Sequence, residues 1–169
     1  ITARRTIFDD LGPVTETIKR SDHPLNLVGH SRAGLLLLCA LKVLQGEGAD
    51  HLVKRVFLLA PTSHGIREEL AIIARLIGIE AIRDLCPDSA PVQYWQDLSA
   101  ANRAKVTVLT PEGGDAFVSP ERAYVDGSTM LLTRPTGHQA QVRDPNTDFF
   151  RLAIALIKHA IANPYQEAA

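Results

Sequence analysis

A serine stands in the run Gly29-His30-Ser31-Arg32-Ala33-Gly34, between a short apolar stretch at 25–28 and a longer one at 35–44. A serine hydroxyl is a weak nucleophile unless a base lies within hydrogen-bond reach. A tight turn from strand to helix pushes the hydroxyl clear of the sheet and aims the first N–H groups of the helix at an incoming oxyanion. Such a turn needs small neighbours. Gly29 lies two residues before Ser31 and Ala33 two after. The usual elbow pattern is G-x-S-x-G; here alanine takes the second glycine position and Gly34 follows it. The simplest competing role is a serine that caps a helix N-terminus.

The elements around this run alternate. Residues 25–28, 55–60, 105–110 and Thr129–Thr133 read as strands bounded by Pro, Gly, Asp and Asn. Ile7–Lys19 places Ile7, Phe8, Leu11, Val14 and Ile18 close to a 3.6-residue period, which predicts an amphipathic helix. Residues 35–44 are apolar nearly all round, as a helix buried against a sheet would be. Residues 149–161 follow a capping stretch at 144–148 and read as a further amphipathic helix. Strands alternating with helices predict a parallel sheet in an α/β layer fold. The connection between 60 and 105 is far longer than the dozen or so residues a crossover needs, and carries its own helical patterns. It reads as an insertion, either extra core packing or a cap over a crevice at the carboxyl edge of the sheet. Tyr94 and Trp95 within it are candidates for pocket walls or for core.

Composition narrows the function classes. The chain has 169 residues, 46% hydrophobic and 22% charged, which predicts one globular domain over 1–169. A net charge of −1 leaves no electrostatic footprint for nucleic acid. Cys39 and Cys86 lack metal-site spacing and read as buried thiols. The six histidines are scattered, with no partner at ligand spacing, so neither a metal nor a cofactor is expected. No stretch is long enough to span a bilayer. The sequence does not fix a compartment.

Several segments, in order, resemble the α/β-hydrolase superfamily in its lipase and esterase branch. "LNLVGHSRAG" is similar to its elbow strand, elbow and following helix. "VKRVFLLAPTSHG" resembles the next strand and its loop, and "AIRDLCPDSAPVQYW" a cap segment. "VTVLTPEGGDAFVSPERA" resembles the strand and loop that carry an acid, and "RPTGHQAQVRDP" the loop that carries a histidine. The resemblance covers about 7–161. It implies a parallel-sheet α/β-hydrolase-like core with a helical cap insertion at about 66–98. It also implies hydrolysis of a small ester or lipid through an acyl-enzyme. Ser31 would be the nucleophile, His138 the base and then the acid, and Asp115 the group that orients His138. Glu112 and Asp126 are rival acids. The backbone N–H of Arg32 would donate to the oxyanion. His30 and His64 are candidate pocket residues, although the His30 side chain is expected to point away from that of Ser31.

In the resembled fold another strand, ending in an oxyanion loop, precedes the elbow strand. Only 24 residues precede "LNLV" here, and the chain starts Ile1-Thr2-Ala3 without methionine. An N-terminally truncated fold is therefore expected. Its elbow strand would be covered by an upstream segment, a separate chain or a second copy, because an open buried-type strand edge is costly. The alternative function is a non-catalytic hydrolase-like module that uses the crevice for binding.

Overall fold

A computed structural model describes residues 5–163 of the chain. In chain order the elements are α1 (Ile7–Lys19), β1 (Leu25–His30), α2 (Arg32–Gly46), β2 (Val53–Leu59), α3 (Glu68–Ile77), α4 (Glu80–Arg83), α5 (Ala90–Tyr94), α6 (Ala100–Ala104), β3 (Val106–Pro111), α7 (Pro120–Ala123), β4 (Thr129–Thr133), α8 (Ala140–Arg143) and α9 (Asp148–Ala162). The strands form one parallel sheet in the order β1-β2-β3-β4. Gly29 pairs in register with Leu58, which pairs with Val108.

Side chains alternate across each strand, and this alternation divides the core. Val56, Leu58, Val106 and Val108 belong to a cluster with α1 and α2 on one face. Leu59 and Leu109, one residue on, meet Phe149 and Ala153 of α9 on the other. The result is a sheet between two helical layers. In α2, Leu35, Leu38, Leu41 and Leu44 are all fully buried. Each such leucine contributes roughly 2 kcal/mol of burial. This explains why the helix shows no polar face along most of its length.

Two helices begin with side-chain caps, the second of them in the stretch the sequence marked. Thr6 and Asp9 form a reciprocal capping box at the start of α1. Thr147, inside the expected capping stretch, accepts the N–H of Phe150 at the start of α9. The insertion carries three helices, α3 to α5, joined by turns, and has two parts. Ile66, Ala71, Ala74 and Cys86 form a small core of their own. Val92, Trp95 and Leu98 instead join the main core beside α2. The Trp95 indole N–H donates to the Ser63 carbonyl at 3.0 Å, so this ring serves as core. Tyr94 meets Phe8 edge-on at 5.7 Å. Among the described residues β1 pairs with β2 alone, and Val28 on it is 45% exposed. No described helix is long and apolar enough to cross a membrane.

Candidate active site

Ser31 sits between β1 and α2 with φ 56° and ψ −124°, a conformation that non-glycine residues rarely adopt. Its backbone N–H donates to the carbonyl of Leu59 at the end of β2 (2.9 Å), and its carbonyl accepts from Gly34 N–H (2.9 Å). The turn is thereby tied to the neighbouring strand and to its own helix. Excluded volume does the rest. A Cβ on Gly29 would lie 2.8 Å from the carbonyl oxygen of Ala33, and one on Gly34 would lie 2.6 Å from Cβ of Pro61. The close approaches fall at 29 and 34, which explains why alanine is accommodated at 33. Ser31 occupies the N-cap position of α2, yet its hydroxyl makes no capping bond. The hydroxyl is directed elsewhere.

Its partner is His138. The Nε2 of His138 lies 2.8 Å from Ser31 Oγ, and its Nδ1 lies 2.6 Å from Asp115 Oδ2. A carboxylate can only accept, so Nδ1 carries the proton and Nε2 is free to accept the serine hydroxyl. His138 is 8% exposed and its ring is flanked by those of His30 (4.7 Å) and Phe117 (4.9 Å).

Asp115 follows Gly113 and Gly114, both at positive φ, in the loop after β3. Its Oδ1 accepts the backbone N–H groups of Phe117 (2.8 Å) and Val118 (3.0 Å). The turn-forming role and the orienting role therefore belong to the same carboxylate. Burial pushes this carboxyl up, but the His138 bond and the two backbone N–H groups outweigh it and bring it down to about 2. Gln141 adds a fourth donor, Nε2 to Oδ2 at 2.8 Å. Arg67, at the start of the insertion, donates to the carbonyls of Asp115 (2.9 Å) and Gly113 (3.3 Å) and fixes the loop from outside.

The other candidates separate. Arg32 is the first residue of α2, so its N–H has no intrahelical partner and faces the elbow end of the helix. Its guanidinium turns away to Asp10 (3.0 Å). Asp126 bonds Arg103 (3.3 Å), and Glu112 is exposed. His30 packs on the His138 ring and meets Gln141 through Nε2 (3.3 Å). Burial, and then the neighbouring His138, hold its imidazole below the ordinary histidine value. His64 stands apart, against Trp95 and Gln96, and burial lowers it as well. Sequence reasoning missed Gln141. Its one signal is a spacing of three residues from His138, which places both on one turn of chain.

Solved structures that share this architecture include the mature form of the Bacillus licheniformis lipase BlEst2, with a TM-score of 0.70 at 18% identity. That match covers 91% of this chain and 75% of the other. The Paleococcus ferrophilus monoacylglycerol lipase matches with a TM-score of 0.61 at 13% identity, over 94% and 76% of the two chains. MGS-MChE2, an α/β hydrolase from a lagoon-sediment metagenome, matches with 0.59 at 13%, over 98% and 74%. The chain therefore has the α/β-hydrolase fold. No family model matches the sequence, and no match is found among curated proteins.

Proposed function

We propose that the protein is a serine hydrolase of lipase or esterase type that cleaves carboxylic esters. The observation that carries this reading is the bonded series Ser31 Oγ, His138 Nε2–Nδ1, Asp115 Oδ2, mounted on a positive-φ elbow. The fold, shared with proteins named as lipases and hydrolases, supports the substrate class.

In this reading Ser31 Oγ attacks the ester carbonyl carbon while its proton passes to His138 Nε2. The carbonyl oxygen becomes an oxyanion, which the Arg32 N–H and the positive end of α2 stabilise. The intermediate collapses, the C–O bond to the alcohol breaks, and His138 returns the proton to the departing oxygen. Water then gives its proton to His138 and attacks the acyl-Ser31. Release of the acid returns the proton to Ser31 Oγ. Asp115 stays ionised throughout, as its depressed titration requires. The stretch 66–98 would act as a cap whose Arg67 end braces the acid loop.

One observation favours a second reading. β1 is an outer strand among the described residues, and Arg32 supplies one oxyanion donor. Loss of one donor costs on the order of 10²–10³ in rate. A non-catalytic binding module, or a chain that needs another segment or a second copy along β1, fits that arrangement.

A fluorophosphonate probe separates the two readings. Covalent labelling mapped to Ser31, and lost in Ser31→Ala, is the expected result. A folded parent chain that takes no label refutes the reading of this chain as a hydrolase on its own, in favour of the binding module or of a chain that needs a further segment along β1.

A further inference from the structure

Behind Asp115 lies a second bonded arm that the serine chemistry does not itself require. Gln141 is fully buried on α8, and its backbone N–H donates to Gly137 (3.2 Å). Its amide orientation follows from its neighbours. The carboxylate of Asp115 is acceptor-only, so the group 2.8 Å away must be the NH₂ of Gln141. Its oxygen therefore faces His30 Nε2 (3.3 Å), which must carry a proton. The second amide N–H points at the Thr136 carbonyl (3.5 Å). No choice of tautomer or flip remains open along this arm.

We propose that Gln141 and His30 are positioning residues: together they lock the Asp115 carboxylate in the rotation that keeps His138 in its base-competent tautomer. The proposal rests on the serine hydrolase reading above. Oδ2 accepts from both His138 and Gln141, while Oδ1 accepts from Phe117 and Val118. The donors on Oδ1 come from the acid's own loop, whereas the Gln141 bond comes from α8 and ties Oδ2 to the element that follows His138. His30 acts at one remove. It holds the amide through Nε2, and its ring packs on His138.

The groups that face His138 are Asp115 from the β3–α7 loop, His30 from β1, Ser31 from the elbow and Phe117. The nearby cations are tied elsewhere: Arg67 to the loop carbonyls and Arg32 to Asp10. A new charge at position 141 would therefore be felt without a compensating partner. An added carboxylate beside Asp115 favours the imidazolium form, which cannot act as a base.

The test is p-nitrophenyl acetate hydrolysis from pH 5 to 9, on parent, Gln141→Met, Gln141→Glu, His30→Phe and the Gln141→Met/His30→Phe double variant. Gln141→Met, which cannot donate, should lower kcat about 10- to 100-fold with KM within about twofold, the scale of a lost bond to a charged group. Gln141→Glu should move the acid limb of kcat/KM to higher pH by at least about half a unit. His30→Phe keeps a ring against His138 and should lower kcat about three- to tenfold. The double variant should be no slower than Gln141→Met alone, because His30 acts through Gln141. Parent kcat and an unshifted acid limb in both Gln141 variants, or single losses that multiply in the double, would overturn the proposal. Where the Gln141 variants do not fold, His30→Phe decides: an unchanged kcat overturns it. Fluorophosphonate labelling of the parent keeps the two failures apart. An unlabelled parent sinks the hydrolase reading and this proposal with it. A labelled parent with insensitive variants sinks the positioning arm alone.

Discussion

Replacement of Asp115 by asparagine changes one atom and should reverse a tautomer. The two backbone donors on Oδ1, Phe117 and Val118, require an acceptor there, so the amide oxygen takes that place. The NH₂ then faces His138 Nδ1 and Gln141 Nε2, both donors at 2.6 and 2.8 Å. His138 escapes the clash by moving its proton to Nε2, where it points at Ser31 Oγ and can no longer accept the hydroxyl. The expected loss in kcat is about 10⁴, or about 5.5 kcal/mol in the barrier. Stability should change too, and its sign follows from the carboxyl titrating at about 2 in the fold against 3.8 for an ordinary aspartate. A depressed value stabilises the fold above the unfolded value and is lost as pH falls toward 2. The parent should therefore lose about 1 kcal/mol more than Asp115→Asn between pH 5 and pH 3. Steady-state hydrolysis of p-nitrophenyl acetate reads the first effect, and urea unfolding at the two pH values reads the second. Activity within tenfold of the parent, or identical acid sensitivity, would show that Asp115 does not orient the base.

Other outcomes follow from the elbow and the core. Ser31→Ala should abolish hydrolysis, a loss on the order of 10⁶ in kcat. Ser31→Gly should be equally inactive but about 1 kcal/mol more stable than Ser31→Ala, because glycine relieves the φ of 56°; equal melting temperatures would remove the strain from the account. Gly34→Ala should slow hydrolysis and lower the melting temperature, since its Cβ would press on Pro61, whereas Gly12→Ala in α1 meets nothing within 4 Å and should stabilise by roughly 0.5–1 kcal/mol. Burial pushes the Cys39 thiol up to about 12, so a disulfide reagent should modify it at neutral pH only on unfolding; rapid modification in the native protein would contradict the packing.

The strands and the elbow were legible in the sequence because each is a local pattern: an apolar run ended by small residues, then a helix with no polar face. Ser31, Asp115 and His138 were singled out through the resemblance to a known family, and the structure brings their side chains within hydrogen-bond reach of one another. Gln141 was not. A buried amide leaves no periodic trace, and its worth depends on Asp115 and His30, which lie 26 and 111 residues away. The insertion's length was readable but its division was not, because the periodicity around Val92 and Trp95 is the same whether the residues face a cap or the main core. The small neighbours of Ser31 were expected at 29 and 33. The structure moves the second tight contact to 34, a matter of where Pro61 crosses the helix.

The crowding at Gly29 and Gly34 has a consequence for how such a chain would drift over generations. Strand, helix and the turn at Pro61 meet there with no room for a methyl group, so these two glycines are held by foldability, whatever the serine does. Ser31, at a φ of 56°, burdens the fold, and under the proposed function it is held by its chemistry. A descendant that lost its chemistry would give up the serine first and keep both glycines. The glycine pair would then persist as a relic of an elbow in proteins that no longer have a nucleophile.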